Sequence, residues 1–224
     1  MNHWLLRCMH GTAAGRELRG NVASVYRGVL PPEPDACAQV LLQPGAGGWR
    51  VAARDARGAS IRFCGHGALA AARVALDQPE QPAGSLMFAS EAQRWTGWWD
   101  RSGTDAERVT LSFTRPRLSP CSVPSAAGLW LGVEPTAAAL SGATDDYLIL
   151  EVGTPDCVQR AHPDPAAIGA ATQRALLLTA LTANGPVFRY FAPQYGDVED
   201  AATGSAAVQL GAYWRERAGL DNAD

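Results

Sequence analysis

The chain has 224 residues, of which 47% are hydrophobic, so it can bury one large core or two small ones. Its net charge is −3 and its 19 positively charged residues form no dense run, so nothing favours nucleic acid as a partner. The N-terminal segment lacks the pattern of a signal peptide, and no apolar stretch reaches the roughly 18 residues that a bilayer span needs. We therefore expect a cytoplasmic protein without a membrane partner.

Lysine is absent, so all 19 positively charged residues are arginine. This absence excludes a Schiff-base lysine for pyridoxal phosphate and a P-loop lysine for nucleotide phosphates. Rich usage of Arg, Ala, Gly and Pro is typical of a GC-rich bacterial genome, so we expect a bacterial protein.

The cysteines and histidines are too scattered to predict a metal centre or a disulfide framework. The cysteines are odd in number and include no Cys-x-x-Cys pair, and the histidines form no His-Glu-x-x-His motif. They are Cys8, Cys37, Cys64, Cys121 and Cys157, with His3, His10, His66 and His162. We expect no metal cofactor, and most of the cysteines are predicted to be small buried hydrophobes.

Short strands dominate the first half of the chain. Apolar segments bounded by Gly, Pro or Asp predict strands at residues 22–29, 38–42, 49–53, 85–89 and 109–113. A helix is predicted at about residues 67–76, and since it is apolar on most sides we expect other elements to surround it. The prolines of residues 114–124 predict a linker between two halves.

The second half has a similar pattern. Strands are predicted at residues 147–152, 175–181 and 187–191, and helices at 165–173 and 205–217. Each half is thus predicted to hold several strands around one buried helix, which is an α+β fold rather than alternating βαβ units.

Two segments run from glycine and a polar side chain into an alanine-rich helix. One is Phe63-Cys64-Gly65-His66-Gly67-Ala68-Leu69-Ala70-Ala71, and the other is Asp200-Ala201-Ala202-Thr203-Gly204-Ser205-Ala206-Ala207. The first N–H groups of a helix attract anions, and glycine lets a ligand approach the backbone closely. The pair of segments predicts two halves that face one anionic ligand.

With these segments the chain resembles the PhzF family of phenazine-biosynthesis isomerase-like proteins, which shares the diaminopimelate epimerase fold. The matching pieces are Gly20-Asn21, Cys64-Gly65-His66, Arg189-Tyr190-Phe191-Ala192-Pro193-Gln194 and Glu199-Asp200-Ala201-Ala202-Thr203-Gly204-Ser205-Ala206. The resemblance implies two similar domains, here residues 1–116 and 117–224, with the active site between them. It also implies that each central helix directs its N-terminus at the substrate and that no cofactor is needed.

The resemblance further implies a set of site residues. Family enzymes move a proton on a small carboxylate with a glutamate, a histidine, an aspartate and a serine, and His66, Asp200 and Ser205 stand at matching positions. The glutamate is replaced: Cys37 stands at its place, as a thiol acid/base. The implied catalytic residues are His66, Asp200 and Cys37, and the implied substrate-binding residues are Gly65, Gly67, Gly204, Ser205 and Asn21. We interpret Ser205 as a carboxylate anchor, because no Gly-x-Ser-x-Gly elbow is present.

Two functions stay open at this point. One is a cofactor-independent isomerase of a small amino or hydroxy carboxylate in secondary metabolism. The alternative is a PhzF-like binding or interaction protein that has kept the pocket and lost its acid/base. Related epimerases use a cysteine ahead of each central helix; Cys64 stands at the first position but Ala202 near the second, which disfavours two-thiol racemisation.

The resemblance also leads us to expect a homodimer. The chain ends 19 residues after Ser205, earlier than family members do. We therefore expect missing strands, with part of the last helix left exposed at Val208, Leu210, Tyr213 or Trp214. Exposed apolar patches and unpaired sheet edges favour association.

Overall fold

The computed structural model describes residues 2–9, 11–13, 16–18, 20–78, 84–100, 108–142, 146–200 and 203–218. The chain divides into two compact units, Met1–Thr114 and Arg115–Asp224. The domain boundary after residue 116 that the resemblance implies stays a prediction.

In the described part of the first unit, eight strands form one sheet and two more form a separate hairpin. The sheet has the order β1-β4-β5-β6-β8-β9-β10, with β7 paired to β6, and it is antiparallel except at β4–β5 and β6–β8. The strands are β1 (Asn2–Cys8), β2 (Gly11–Ala13), β3 (Arg16–Leu18), β4 (Asn21–Arg27), β5 (Ala38–Gly45), β6 (Gly48–Arg54), β7 (Ser60–Ile61), β8 (Ser85–Ala89), β9 (Arg94–Asp100) and β10 (Arg108–Phe113).

Helix α1 (Gly65–Leu76) forms the centre of this unit. It contacts β1, β4, β5, β6, β8, β9 and β10, and nine of its 12 residues are buried. Alanines make this possible, because their small side chains let several strands approach the helix. The prediction of a helix surrounded by other elements is confirmed.

Six strands form the sheet in the described part of the second unit, in the order β11-β12-β13-β14-β15-β16. They are β11 (Leu118–Cys121), β12 (Pro135–Ser141), β13 (Tyr147–Val152), β14 (Ala175–Thr182), β15 (Gly185–Ala192) and β16 (Asp197–Asp200), and only the β13–β14 pair is parallel in this sheet as described. The helices are α2 (Ala127–Leu131), α3 (Pro155–Arg160), α4 (Pro165–Ala171) and α5 (Gly204–Arg217).

The two faces of this sheet carry different helices. Leu176 and Leu178 pack with residues of α2, α3 and α4, whereas Leu177 packs with Leu210 and Trp214 of α5. This alternation follows from the period of two in a strand and makes β14 buried on both faces.

One predicted feature is wrong in part: the proline-rich linker contains a strand. Residues 118–121 pair with β12, with Pro120 opposite Ala139, and β11 is an edge of the sheet. An edge strand tolerates proline because the missing N–H is not needed on its open side. Several other elements were not predicted from the sequence either, namely strands β1, β2, β3, β7, β9, β12 and β16 and helices α2 and α3.

The exposure expected of α5 is also wrong for three of its four residues. Leu210, Tyr213 and Trp214 are buried against the sheet, and Val208 is half-buried. The indole of Trp214 donates to Thr179 Oγ1 at 3.1 Å, and Tyr213 Oη donates to Glu151 Oε2 at 2.6 Å. These bonds satisfy the polar ends of both aromatic side chains within the unit.

Candidate functional site

The first candidate region is the start of α1. Cys64 is the N-cap residue in extended conformation, and its carbonyl accepts the first helical hydrogen bond from Ala68 N at 2.8 Å. The first turn contains no acidic side chain. The partial positive charge at this helix end is therefore not offset by a carboxylate of its own first turn, which favours an anionic ligand.

His66 and Cys64 lie in contact at this helix start. The Cys64 sulfur is 3.6 Å from Nδ1 and 3.7 Å from Nε2 of His66, and both side chains are half-buried. The thiol and the imidazole are therefore neighbours at the start of this helix.

The two glycines beside His66 are buried, and for Gly67 the reason is steric. A Cβ on Gly67 would lie 2.8 Å from Val40 Cγ2 and 3.0 Å from Cys64 Sγ. Gly67 thus lets α1 approach β5 and leaves room for the Cys64 sulfur. The geometry gives it a packing role in addition to the substrate-binding role that the resemblance implies.

Asn21 begins β4 and is paired in register with Cys8 of β1. The Cys8 thiol is close to the backbone of Ala70 in α1, and burial raises the pKa of Cys8 to about 11. Asn21 therefore belongs to a strand pair that packs against α1, and Cys8 itself is a buried, unreactive thiol at neutral pH.

Cys37 lies elsewhere. Its sulfur is 3.4 Å from Ser24 Oγ. Ala23 and Val25 of β4 belong to the core around α1, so the side chain of Ser24 between them points to the opposite face of the sheet. The structure therefore associates Cys37 with Ser24 on that opposite face, whereas His66 starts the helix itself.

A polar cluster around Cys37 was not recognised in the sequence. Tyr26 Oη donates to Asp35 Oδ2 at 2.6 Å, and this bond holds the pKa of Asp35 below its ordinary value. Gln39 is fully buried, and its Oε1 accepts from Arg54 Nε at 2.5 Å. Arg54 also donates to the carbonyls of Pro31 and Glu33, which holds the loop before Cys37 over this cluster.

The second candidate region is the start of α5. Thr203 is its N-cap residue, and the hydroxyl of Thr203 donates to Asp200 Oδ2 at 2.6 Å. Ser205 is buried, and burial raises the pKa of the nearby Tyr147. As in α1, the first turn lacks an acidic residue. Ala201 and Ala202 of the predicted motif lie outside the described residues.

An ion pair fixes the strands that lead to Asp200. Arg189 Nε and Nη2 donate to Glu199 Oε1 and Oε2 at 2.7 and 2.8 Å, which is a bidentate pair between β15 and β16. Arg189 Nη1 also donates to the carbonyl of Ala161 at 2.7 Å. These residues of the sequence motifs are therefore structural, and they hold the strand on which Asp200 lies.

Six of the eight predicted site residues, all except Cys37 and Asn21, thus form two local groups. Gly65, His66 and Gly67 lie with Cys64 at the start of α1 in the first unit, and Asp200, Gly204 and Ser205 lie at the start of α5 in the second. Among the described residues, no group of three or more His, Cys, Asp or Glu side chains is placed to hold a metal ion. In the same part of the chain, every helix is too short or too polar to cross a membrane.

Comparison with known proteins finds a matching family model and similar individual proteins. The sequence model of the PhzC-PhzF family, described as phenazine biosynthesis-like protein, matches residues 58–224. An uncharacterized isomerase of Pseudomonas aeruginosa is 34% identical over 160 residues, which are 70% of this chain and 58% of that protein. The chain therefore spans less than two thirds of the length of this curated relative.

The fold is similar to that of two solved structures. A PhzF-family phenazine biosynthesis protein from Enterococcus faecalis has a TM-score of 0.68 at 20% identity, covering 89% of this chain and 78% of its own. A Pseudomonas aeruginosa protein described as a predicted epimerase has a TM-score of 0.65 at 20% identity, covering 98% and 83%. The α+β class and the epimerase-like fold predicted from the sequence are confirmed.

Proposed function

Because this chain belongs to the PhzC-PhzF family of phenazine biosynthesis-like proteins, we propose that it is a cofactor-independent isomerase of a small amino or hydroxy carboxylate in secondary metabolism. The observation that carries the proposal is the placement of His66 in the first turn of α1 and of Asp200 at the start of α5. Each is an acid/base side chain next to a helix N-terminus with no acidic residue in its first turn.

The proposed mechanism divides binding from proton transfer. Backbone N–H groups near Gly65, Gly67 and Gly204, with the Ser205 hydroxyl and Asn21, bind the carboxylate. His66 and Asp200 act as the general acid and base that remove a proton from a carbon and return it to another position. This requires that the two units bring both side chains to one substrate.

Cys37 is the least supported of the three proposed catalytic residues. Its contact with Ser24 lies on the face of the sheet opposite to α1. Asp35, two residues earlier, is engaged by Tyr26 at 2.6 Å. These contacts give the segment around Cys37 a structural role and add no support for Cys37 as an acid/base.

We also propose that the protein works in the cytoplasm as a homodimer. The sequence predicted a dimer because apolar side chains of the last helix were expected to be exposed. Tyr213 and Trp214 of α5 are buried, so this reason no longer holds. Large apolar side chains that remain exposed, such as Met87 and Trp98 of neighbouring strands, support an association surface instead.

Exchange of carbon-bound hydrogen with deuterated water tests the function. A panel of aromatic, amino and hydroxy carboxylates is incubated with the protein, without metal or pyridoxal phosphate, and deuterium uptake is followed by mass spectrometry. His66→Ala and Asp200→Ala should each slow exchange by roughly 10²-fold or more, the usual scale for a general acid or base. Since the two residues belong to different units, loss in both variants also tests whether the units form one site.

His162→Ala and Asp156→Ala are matched controls, because both side chains are exposed and lie outside the proposed site. Exchange that survives both His66→Ala and Asp200→Ala would contradict the proposal. A carboxylate that raises the melting temperature but never exchanges would support the alternative, a binding protein.

A further inference from the structure

We infer that Thr203 is a positioning residue for Asp200: its hydroxyl holds the carboxylate of Asp200 at the start of α5 instead of capping the helix. For its effect on catalysis the inference rests on the proposed function, in which Asp200 transfers a proton. The hydrogen bond itself can be tested without a substrate.

The first support is the hydrogen bond between the two side chains. Thr203 Oγ1 donates to Asp200 Oδ2 at 2.6 Å, which is within the usual range for a hydroxyl that donates to a carboxylate. Thr203 is buried, with 8% of its surface exposed, and Asp200 is half-buried. A buried hydroxyl needs a hydrogen-bond partner, and the carboxylate of Asp200 meets this need.

The second support is that Thr203 does not use its side chain as an N-cap residue usually does. Its backbone is extended, and its carbonyl accepts the hydrogen bond from Ala207 N at 3.2 Å, as expected at this position. An N-cap threonine normally also accepts a hydrogen bond from an N–H group of the first turn. The Thr203 side chain makes no such bond within the described part of the chain, so its hydroxyl is directed to Asp200 rather than to the helix.

The third support is a comparison with α3, which begins after the same residue type. Thr154 is the N-cap residue of α3 and is also extended, and its Oγ1 accepts from Cys157 N at 3.3 Å. Thr154 likewise has a carboxylate three residues before it, but Glu151 accepts from Tyr213 and Arg217 instead. The two threonines therefore use their hydroxyls differently because of the local fold and not because of sequence spacing.

Other contacts fix the backbone of Asp200. Asp200 is paired with Tyr190 across β15 and β16, and the bidentate ion pair between Arg189 and Glu199 lies next to it. These contacts hold the main chain, whereas the hydrogen bond from Thr203 holds the side chain. A carboxylate that is held in both ways keeps one orientation before the substrate binds, and proton transfer is fast only when the reacting groups are well oriented.

A double-mutant cycle tests the hydrogen bond without a substrate. Urea midpoints are measured for the wild type, Thr203→Val, Asp200→Ala and the double variant, since valine keeps the shape of threonine and removes the hydroxyl. Thr203→Val should lower the midpoint in the wild-type background and by less than half as much in the Asp200→Ala background, where the hydroxyl has already lost its acceptor. Equal shifts in both backgrounds would overturn the inference.

Deuterium exchange with an active carboxylate tests the positioning role. Thr203→Val should lower kcat by about tenfold and leave KM within about threefold, because Asp200 is misplaced for proton transfer while the groups that bind the substrate are kept. Thr203→Ser should stay within about threefold of the wild-type kcat, because serine keeps the hydroxyl. A loss confined to KM, or an equal loss of kcat in both variants, would overturn the positioning role.

Thr154→Val is the matched control, because it makes the same substitution at the N-cap of α3, outside the proposed site. It should lower the urea midpoint through loss of the cap and leave kcat unchanged. An equal fall of kcat in Thr154→Val and Thr203→Val would overturn the inference, since lost stability would then explain both. Thr203→Ala, which is smaller and also lacks the hydroxyl, takes the place of Thr203→Val in both experiments if the valine variant does not fold.

The two experiments separate this inference from the proposed function. If no carboxylate exchanges with any variant, the isomerase proposal fails, while the double-mutant cycle still decides whether Thr203 holds Asp200. If exchange depends on Asp200 but not on Thr203, only the inference fails.

Discussion

At the scale of single residues, the polar cluster near Cys37 has a structural function of its own. Tyr26 is buried and its hydroxyl needs an acceptor, which Asp35 provides at 2.6 Å. The bond ties the loop before β5 to β4. Asp35 therefore stabilises the first unit as an ionised side chain.

This role predicts a pH-dependent effect of Asp35→Asn. Because the folded-state pKa of Asp35 lies below the ordinary value near 3.9, its contribution is full above that value and is lost as pH falls through the lower folded pKa. The variant should lose about 1 kcal/mol of unfolding free energy at pH 7, the usual difference between a charged and a neutral acceptor. The measurement is urea unfolding at pH 7 and pH 3, and the loss should shrink at pH 3.

Glu33→Gln is the control, because Arg54 binds the backbone carbonyl of Glu33 and its side chain is exposed. It should leave stability unchanged at both pH values. An equal loss for Asp35→Asn at pH 7 and pH 3 would show that the charge of Asp35 has no part in the effect.

At the scale of elements, the two central helices differ in how they meet their sheets. Helix α1 approaches β5 closely at Gly67, whereas Gly211 of α5 is exposed and a Cβ there would have no atom within 4 Å. The same substitution at these two glycines therefore separates the cost of crowding from the benefit of helix propensity.

Gly67→Ala should destabilise the protein by roughly 1–3 kcal/mol, because the added methyl displaces Val40 or the Cys64 sulfur. Gly211→Ala should stabilise it by roughly 0.5–1 kcal/mol, the gain of alanine over glycine in a helix interior. Urea unfolding of the three proteins measures both changes. If Gly67→Ala is as stable as the wild type, a methyl group on residue 67 does not crowd Val40, and the close approach of α1 to β5 is contradicted.

At the scale of the whole molecule, each unit packs a long helix against its sheet, but the two units cover that helix differently. In the first unit, strands surround α1, while in the second α5 packs on one face of the sheet and α2, α3 and α4 pack on the other. Ala207, Gly211, Arg215 and Glu216 are exposed along α5. Its outer face is polar or small, so α5 supplies no large apolar surface.

The proposed homodimer predicts a mass of twice the 23.6 kDa of the chain in light scattering at micromolar concentration. Trp98→Glu should shift the protein toward the monomer, because a charge on the exposed face of β9 opposes apolar association. Glu91→Gln, at an exposed polar position, is the control. A monomer mass at every concentration would rule the dimer out.

The sequence by itself determined the local features of this protein. The α+β class and two helices, at about residues 67–76 and 205–217, could be predicted, because hydrophobic period and glycine placement act over a few neighbouring residues. The tertiary structure alone decided that Pro120 lies in an edge strand, that Glu199 pairs with Arg189, and that Cys37 lies with Ser24 while Cys64 contacts His66. Strand order and the facing of side chains depend on contacts between distant segments, which no local pattern encodes.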